Sequence, residues 1–417
     1  MDNTNIIYFT ATFPYGFGEM WKYDELATLS NTFANITVVP FDYGFNKMPV
    51  ALPKGVLCTE PLTATHSITK YTVLKYLFFS KCSISFWKNF FVNKRFTAKQ
   101  NVIAWYNAIF NVVFLISHPY IKSIIGNKAI ASNTVLLFFW GKGSAEMVPF
   151  IDTLIFKKVI IKMHRFDLFE NLYKYGILFR KQQIKKATLI LPSHVEGYNY
   201  LTTKYPQFAT KFVVNRVGTK PSATLVQPTA LQPIVDGNSS PITIFSCSTL
   251  TTVKRVHIML QAASNLPFTF NWYHIGNGTL SKELEQLQAT LKLQGKFHFL
   301  GFIPPNKLKQ TYLQYNIDVF VNTSESEGIP VSILEMLSLG VPIIATDVGS
   351  VREAVDDTVG KLLPVTVTGE QLAAELTAFY HKVKYNNSTY ANACVDRFNQ
   401  IGNSDIANKQ LVDLIKL

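Results

Sequence analysis

The sequence predicts an α/β protein with two doubly wound parallel-sheet domains. A chain of 417 residues favours about two or three domains, and strand-like apolar runs alternate with helical segments along most of it. A stretch rich in Pro, Thr, Ser and Gln separates two such series and has the composition of a linker. We therefore predict a first domain, a linker, a second domain and a C-terminal helix at residues 1–221, 222–241, 242–395 and 396–417.

The positive charge of the chain is concentrated in its first half. The net charge is +13, and apolar residues make up 48%. Residues 1–220 hold 26 basic and 11 acidic side chains, whereas residues 221–417 hold 14 and 16. The basic excess of residues 1–220 indicates an anionic partner, namely a lipid surface, a phosphorylated acceptor or nucleic acid. The alternative is that this charge serves only general solubility. Because no nucleic-acid-binding module accompanies the basic residues, we expect no nucleic-acid partner.

Cysteine spacing and the N-terminal residues bear on the location of the protein. The cysteines are widely spaced and form no C-x-x-C motif, which favours reduced cytosolic thiols over metal or redox motifs. The first residues lack the basic flank and the small-residue cleavage site of a secretory signal. We therefore expect a cytoplasmic protein.

The first domain opens with a strand, a glycine-containing turn, a helix and a second strand. Residues 5–10 and 35–40 are strand-like, and 22–33 has helical periodicity. This β–loop–α–β order favours a parallel, doubly wound sheet. The turn carries Gly16 and Gly18 but lacks the G-x-G-x-x-G fingerprint, so a dinucleotide oxidoreductase is poorly supported. Glycines that serve packing alone remain an alternative.

Residues 70–125 mix aromatic and basic side chains. Within them, 100–121 carries no formal charge and is long enough to span a bilayer, but Gln, Asn, His and Pro residues interrupt it. We therefore favour two arrangements over a transmembrane helix. One is a helix lying in the membrane interface beside Lys and Arg, and the other is a buried helical hairpin of the first domain.

One polar side chain follows a strand of the first domain. Apolar runs predict further strands at 134–140, 159–163, 187–192 and 212–215. His164 follows the second of these runs, and ligands of open α/β sheets lie at strand exits. An imidazole there can donate to a sugar hydroxyl or a phosphate. A structural histidine is the alternative.

The second domain repeats the α/β pattern after the linker. The predicted strands cover 242–246, 270–275, 297–303, 318–322 and 341–346. The predicted helices cover 256–263, 280–291, 307–315, 331–339, 372–383 and 406–417.

Two carboxylates stand near the start of the helix at 331–339. Glu327 precedes this helix, Glu335 lies within it, and Gly340 stands where a left-handed cap would end it. The helix N-terminus offers N–H groups and a positive dipole to a diphosphate, and Gly328 lets the backbone approach a ligand closely. The carboxylates can accept hydrogen bonds from sugar and ribose hydroxyls. An ordinary strand–helix–strand unit with two solvated glutamates is the alternative.

This stretch resembles the signature of the retaining family 4 glycosyltransferases, the group 1 type of bacterial polysaccharide synthesis. That signature has two Glu residues separated by seven others, followed by Gly-x-Pro and a glycine-rich loop. In this sequence the two acidic residues are Glu327 and Glu335, and the later positions are Gly340, Pro342 and Gly349. The sequence departs from this signature at Ser350, where a second glycine is common in the loop. The resemblance implies the GT-B architecture: two Rossmann-like domains facing across a cleft, with a C-terminal helix crossing back to the first. It also implies that the first Glu contacts the donor sugar and the second contacts the nucleotide ribose.

Motifs elsewhere in the chain resemble the same family. The turn at 14–19 resembles the loop that faces the donor, and His164-x-x-Asp-Leu-x-Glu resembles the acceptor-side histidine motif. Lys254 matches the lysine of the Gly-Arg-Leu-x-x-x-Lys-Gly motif, which neutralises the donor diphosphate in the family. Thr249 stands at the arginine position of that motif, and Arg255 stands at its second glycine and is a possible replacement for the missing cation.

These motifs together define the candidate site. By resemblance the turn at the end of 297–303 holds the base through the backbone of Phe302 and Ile303. The catalytic candidates are Glu327, His164 and Lys254. The donor-binding candidates are Gly16, Gly18, Thr249, Arg255, Gly276, Phe302, Ile303, Gly328, Ile329, Pro330 and Glu335.

The resemblance implies transfer of a hexosyl unit, with retained configuration, from a nucleoside diphosphate sugar to a glycan or lipid-linked acceptor in surface polysaccharide synthesis. The sequence contains no D-x-D triplet, so we expect neither a metal nor a cofactor beyond the donor. The basic first domain predicts peripheral contact with the anionic inner face of the cell membrane. An epimerase or phosphorylase of the same fold and a non-catalytic nucleotide-sugar-binding subunit remain alternatives.

Overall fold

A computed structural model of the chain describes residues 1–15, 19–44, 47–92, 99–174, 176–222 and 241–417, with backbone alone for 92 and 380–388. The chain forms two compact units, Met1–Asn215 with Asn408–Leu417, and Arg216–Ala407. Gly16, Gly18 and residues 223–240 of the predicted linker lie outside the described residues.

The first unit contains a six-stranded sheet in its described residues. The strands are β1 (Asp2–Thr10), β2 (Phe33–Pro40), β3 (Val56–Cys58), β4 (Thr134–Phe138), β5 (Lys158–Met163) and β6 (Leu189–Pro192). They are parallel and lie in the order β3-β2-β1-β4-β5-β6. The direction of winding therefore reverses between β1 and β4, where open α/β sheets form a crevice at the carboxyl ends of their strands.

Helices surround this sheet and bury the central strands. β4 is buried at every position, as its continuous apolar run predicts for a parallel strand covered on both faces. The helices are α1 (Lys22–Ser30), α2 (Leu62–Thr65), α3 (Lys70–Phe79), α4 (Ser83–Val92), α5 (Lys99–Ser117), α6 (Pro119–Gly126), α7 (Lys128–Ala131), α8 (Arg165–Leu168), α9 (Arg180–Lys186) and α10 (Val195–Lys204).

The strand predicted at 212–215 is wrong. Phe212 forms only an isolated bridge with Ile190 of β6. The segment follows the sheet edge through two backbone hydrogen bonds, from Val213 and Asn215 to β6 carbonyls, each at 3.1 Å. The Asn215 side chain also donates to Gln410 at 3.0 Å, and the segment forms an isolated bridge rather than a ladder.

The region at 70–125 forms a helical layer whose inner faces are buried. Val73 and Leu77 of α3, Phe86 of α4 and Trp105 and Ile109 of α5 belong to one apolar cluster. α5 is long and apolar enough to cross a membrane by length and composition, and 39% of its apolar window is buried within the protein. Of the two predicted arrangements, the structure shows the helical hairpin packed into the first unit. The outer faces of its helices α3 and α4 are exposed.

The second unit repeats the architecture with a second six-stranded sheet. Its strands are β7 (Ile242–Cys247), β8 (Phe270–Ile275), β9 (Phe297–Gly301), β10 (Val319–Asn322), β11 (Ile343–Thr346) and β12 (Gly360–Leu363). They are parallel in the order β12-β11-β10-β7-β8-β9, with the reversal between β7 and β10. Val319 and Val321 of β10 enter one apolar cluster and Phe320 enters another, so helices cover both faces.

The helices of the second unit agree with the predicted ones, apart from a short helix at 351–354 that was not predicted and a longer one near the end of the chain. They are α11 (Val256–Ser264), α12 (Ser281–Thr290), α13 (Pro305–Leu313), α14 (Val331–Ser338), α15 (Val351–Ala354), α16 (Gly369–Ile401) and α17 (Ser404–Lys416). The predicted helix at 372–383 is too short, and the predicted boundary between 395 and 396 lies inside α16. This helix has a Thr368 capping box and contains no internal Gly or Pro to stop it. The part of α17 from Asn408 onward belongs to the first unit.

Candidate active site

Two loops of the second unit meet where its sheet reverses direction. β7 and β10 are neighbours, and each is followed by a loop at its carboxyl end. The Thr323 hydroxyl donates to the carbonyls of Lys254 and Arg255 at 3.0 and 3.1 Å. The backbone N–H of Glu325 donates to the Val253 carbonyl at 2.9 Å. The loops therefore form one surface at the position where parallel α/β sheets bind ligands.

An ion pair lies on this surface. The Lys254 ammonium bonds to the Glu327 carboxylate, and their side chains are 24% and 11% exposed. Residues that lie 73 positions apart in the chain are thus brought into direct contact. Because both groups are shielded without being sealed from solvent, a ligand can reach them. Lys254 offers a cation to a phosphate, and Glu327 offers acceptor oxygens to a hydroxyl.

The N-terminus of α14 lies directly after Glu327. Gly328, Ile329 and Pro330 connect them, and all three are partly buried. Pro330 is the N-cap residue, and no described side chain caps this helix end, so its first N–H groups keep the capacity to bind an anion. The helix ends at Ser338, and Gly340 just beyond it has the predicted left-handed backbone, with a φ of +78° that favours glycine.

Glu335 lies on the first turns of α14 in a shielded environment. The Tyr312 hydroxyl donates to its carboxylate at 3.1 Å. Burial raises the pKa of this carboxyl to about 7, although the Tyr312 hydrogen bond acts in the opposite direction. Burial and the neighbouring Glu335 charge raise the pKa of the Cys247 thiol, at the end of β7, to about 12. The carboxylate thus faces the same strand end as the loop that carries Lys254.

Arg255 takes a structural position that the motif comparison did not predict. Its φ of +49° is left-handed, which explains why a glycine is usual at this position. Its Nε donates to the Thr323 carbonyl at 2.8 Å, and Nη1 donates to the Val365 carbonyl. The guanidinium is thus largely committed to holding the two loops, and Nη2 alone has no partner among the described residues. Thr249, at the usual arginine position, is exposed.

Gly276, Phe302 and Ile303 form the far side of this surface. A Cβ at Gly276 would lie 1.9 Å from the Ser248 carbonyl, so only glycine lets β8 end beside the loop after β7. The Gly276 N–H donates to the Gly301 carbonyl at 2.9 Å. Phe302 is 51% exposed, whereas Ile303 packs partly against the core. The structure thus places these candidates at neighbouring strand ends.

His164, in the first unit, lies among aromatic rings. Its ring stacks on Phe139 at 4.5 Å and contacts Trp140 at 4.6 Å. Both ring nitrogens are shielded from solvent and have no partner among the described residues. Burial, with Lys162 and Lys22 nearby, lowers its pKa well below the ordinary value. The imidazole is therefore neutral, with one nitrogen able to donate and the other able to accept.

Two buried charged residues that spacing alone did not reveal, Asp167 and Arg180, support the His164 backbone. Asp167 accepts a hydrogen bond from the His164 N–H at 2.6 Å and another from the Gly141 N–H. Burial raises the Asp167 pKa to about 6, although Arg180 opposes this shift. Arg180 is 2% exposed and donates to the Asp167 and Gly141 carbonyls. In the sequence Arg180 belongs to no motif, and nothing beyond its charge at the start of α9 indicates that it supports the His164 loop.

Glu19 anchors the turn whose glycines lie outside the described residues. Its carboxylate accepts the backbone N–H of Thr12 and of Phe13, each at 2.8 Å, and the indole N–H of Trp140 at 2.5 Å. Lys22, which is fully buried, forms an ion pair with it. The loops after β1 and β4 are thereby held together at the switch point of the first sheet.

Two adjoining cavities open at this edge of the first unit. The first, of about 290 Å³, is lined by aromatic rings and reaches Asp167; the second, of about 450 Å³, is lined by α5. Lys142 and Tyr173 border both, and the Lys142 ammonium lies 3.9 Å from the Tyr173 ring centre. Aromatic and amide side chains beside a cation suit a polar ligand with flat apolar faces.

Comparison with known proteins identifies the second unit. Residues 231–394 match the family model described as Glycosyl transferases group 1. This part of the chain resembles the group 1 glycosyltransferase domain. The matched residues include Lys254, Glu327 and Glu335, so the surface described above belongs to this domain.

Curated relatives of this glycosyltransferase domain come from bacterial polysaccharide synthesis. The putative colanic acid biosynthesis glycosyltransferase WcaL of Escherichia coli (strain K12) is 24% identical over 49% of this chain and 51% of its own length. The amylovoran biosynthesis glycosyltransferase AmsK of Erwinia amylovora is 27% identical over 40% and 42%. The chain spans about half the length of the curated relatives that it matches.

Solved structures resemble the whole chain. The lipopolysaccharide outer core galactosyltransferase WaaB, in its apo form, has a TM-score of 0.65 at 14% identity and covers 99% of this chain and 100% of its own. Anabaena Alr3699/HepE in complex with UDP and glucose has a TM-score of 0.61 at 15% identity, with the same coverage. At such identities the likeness shows the fold alone, and it confirms the predicted GT-B fold with two Rossmann-like domains.

Proposed function

We propose that the chain is a retaining glycosyltransferase that moves a hexosyl unit from a nucleoside diphosphate sugar to a glycan or lipid-linked acceptor. The observation that carries this proposal is the Lys254–Glu327 ion pair beside the uncapped N-terminus of α14. A cation and a helix end suit the diphosphate, and the adjacent carboxylate suits the sugar hydroxyls. The relatives in colanic acid and amylovoran synthesis support a role in surface polysaccharide synthesis.

Each side chain has a distinct part in this reaction. The bond between the sugar C1 and the diphosphate oxygen breaks, the acceptor hydroxyl oxygen forms the new bond, and its proton is released. Lys254 and the α14 N–H groups stabilise the negative charge on the departing diphosphate. Glu327 orients the sugar, Glu335 binds the ribose, and the neutral His164 hydrogen-bonds to the transferred sugar or the acceptor. That the reaction proceeds without a metal remains a prediction, tested by adding a chelator.

A panel of nucleotide-sugars tests the proposal. We expect one nucleoside diphosphate sugar to raise the melting temperature and to release nucleoside diphosphate slowly in water, since transferases without acceptor commonly hydrolyse their donor at a low rate. Binding without turnover of any donor, with or without glycan acceptors, would favour the non-catalytic subunit. Interconversion of free nucleotide-sugars would favour the epimerase, and a requirement for inorganic phosphate would favour the phosphorylase.

Nucleotide affinity is expected to rise as the pH increases from about 6 to about 8. Because the folded-state pKa of Glu335 is about 7, its carboxyl is mostly neutral below this pH and mostly ionised above it. The ionised form is the better acceptor for ribose hydroxyls, so the expected gain is roughly tenfold. Calorimetric titration with nucleoside diphosphate at several pH values measures it. Glu335→Gln, which cannot ionise, reports the titration of the ligand alone; an equal pH dependence in both proteins would contradict the role of Glu335.

Restoring an arginine at position 249 is expected to strengthen diphosphate binding. Thr249 is exposed, and Arg255 is held by two backbone carbonyls, so Lys254 is the principal side-chain cation of this surface. Thr249→Arg adds a guanidinium that can form charge-assisted hydrogen bonds with phosphate, and we expect roughly tenfold tighter binding of nucleoside diphosphate. Thr249→Gln is the uncharged control of comparable length. Equal affinities of the two variants would place the diphosphate elsewhere.

A further inference from the structure

The outer faces of α3 and α4 carry apolar side chains that the fold of the first unit does not use. On α3, Tyr71, Leu74 and Phe78 recur at a spacing of one helical turn, opposite the buried Val73 and Leu77. The exposed apolar side chains of the two helices, which we name the hairpin patch, are Tyr71 (76% exposed), Leu74 (49%), Phe78 (58%), Phe79 (86%), Ile84 (79%) and Phe91 (59%).

Ring contacts join the two helices of the hairpin patch. The Phe78 ring of α3 lies 5.7 Å from the Trp87 ring of α4, and Phe91 stacks on the same indole at 6.0 Å. Phe78 and Phe79 are themselves 6.5 Å apart. The Trp87 indole N–H donates to the Leu77 carbonyl at 3.0 Å, which fixes the two helices against each other. Contiguous exposed apolar surface of this kind on a soluble unit marks an interaction site.

The charge around the patch identifies the kind of partner. Between Glu60 and Glu146 the sequence contains no Asp or Glu, and it contains ten Lys and Arg residues. Lys70, Lys75, Lys81 and Lys88 lie on α3, on α4 or in the turn between them, and all four are exposed. Charge of a single sign, set among aromatic side chains, is complementary to an anionic lipid surface, into which rings can insert while ammonium groups remain at the headgroups.

The dimensions of the hairpin exclude a transmembrane arrangement for it. α3 and α4 have 10 residues each, so each is about 15 Å long, half of a hydrocarbon core of about 30 Å. Their buried faces are held in the apolar cluster with α5. The hairpin can therefore lie on one leaflet without leaving the unit.

We propose that the hairpin patch docks the chain onto an anionic lipid bilayer, and that the acceptor is a lipid-linked glycan received at the cavity beside α5. α5 connects the two features, since Trp105 and Ile109 pack under the hairpin while Asn107 and Asn111 line the cavity. Docking therefore holds the cavity near the headgroups. The second clause rests on the proposed function; docking itself does not.

Vesicle co-sedimentation tests the docking. We expect the full chain to bind vesicles that mix phosphatidylglycerol with phosphatidylcholine at low salt, and to bind pure phosphatidylcholine vesicles weakly. Phe79→Ser with Ile84→Ser should lower the partition coefficient roughly tenfold or more. Leu154→Ser, which removes an apolar side chain that is 93% exposed elsewhere in the first unit, is the matched control.

A double substitution that removes two positive charges tests the docking independently. Lys75→Gln with Lys88→Gln should lower binding to anionic vesicles roughly tenfold and leave binding to pure phosphatidylcholine unchanged. The control is Lys282→Gln with Lys296→Gln, which removes exposed lysines of the second unit. Three results would overturn the docking proposal. They are no binding to anionic vesicles, equal losses of binding in the controls and the hairpin variants, and self-association that the serine variant abolishes.

The readouts separate docking from the transferase function. Nucleotide-sugar binding, followed by thermal shift, should be the same in all four variants and in the unchanged chain. If vesicle binding follows the hairpin variants but no donor is turned over, docking stands and the proposed function fails. If transfer to a soluble glycan is unchanged by the serine variant while transfer to a lipid-linked acceptor in vesicles falls roughly tenfold, both stand. Equal transfer to both acceptors would overturn the lipid-linked acceptor.

Discussion

Glu327→Gln is expected to reduce sugar transfer roughly hundredfold or more while leaving nucleoside diphosphate affinity within a fewfold of its original value. The carboxylate is 11% exposed and pairs with Lys254. Its removal takes away the acceptor that we assign to the sugar hydroxyls, but it also frees the Lys254 ammonium for the diphosphate. Turnover and affinity should thus separate, which a general weakening of the site would not produce.

Initial rates with the donor found in the nucleotide-sugar panel, together with calorimetry on the diphosphate, measure both effects. Glu325→Gln is the matched control, because Glu325 is exposed and lies on the same loop. A loss of nucleotide binding with turnover of the residual complex intact would contradict the role of Glu327, as would equal loss of turnover in the control.

Arg180→Met is expected to lower the free energy of unfolding by about 3 kcal/mol at neutral pH. The guanidinium is 2% exposed and holds the Asp167 and Gly141 carbonyls, and its charge stabilises the ionised Asp167 carboxyl. Methionine fills similar space but leaves these acceptors, and the buried carboxylate, without a cationic partner. Since Asp167 holds the His164 N–H, transfer activity should fall as well.

The pH dependence of this variant gives a sharper test. Burial raises the Asp167 pKa to about 6, so the folded carboxyl is mostly protonated at pH 5 and mostly ionised at pH 8. Removing Arg180 raises this pKa further, and the stability difference from the unchanged protein should therefore be larger at pH 8 than at pH 5. Urea unfolding at both pH values measures it. Lys181→Met, at an exposed neighbouring position, should leave stability nearly unchanged.

Local pattern carried most of the fold prediction. The strand at 270–275 was predicted with its observed bounds, and β4 was recognised from an uninterrupted apolar run. Such segments are decided by residues that are neighbours in the chain, so periodicity reveals them. Two of the failures, at 212–215 and in α16, lie where tertiary contacts decide how far an element extends. The 212–215 segment makes only two backbone hydrogen bonds to β6, and packing on two clusters continues α16 to Ile401.

The candidate site divides in the same way. The sequence placed Glu327 before a helix and Glu335 within it, and the resemblance to family 4 glycosyltransferases supplied the roles of both carboxylates and of Lys254. It also showed that the excess of positive charge lies in the first half. It did not show that Lys254 and Glu327 form an ion pair or that Tyr312 bonds to Glu335.

Only the tertiary structure decided what each cation does and which faces of the helices are exposed. Arg255 was a candidate for the diphosphate by its charge, yet its left-handed backbone and two carbonyl partners assign it to holding the loops. Arg180 carried no motif, yet burial makes it the support of the His164 loop. Charge and hydrophobicity are properties of residues, whereas burial, hydrogen-bond partners and shifted pKa values depend on atoms brought together from distant parts of the chain.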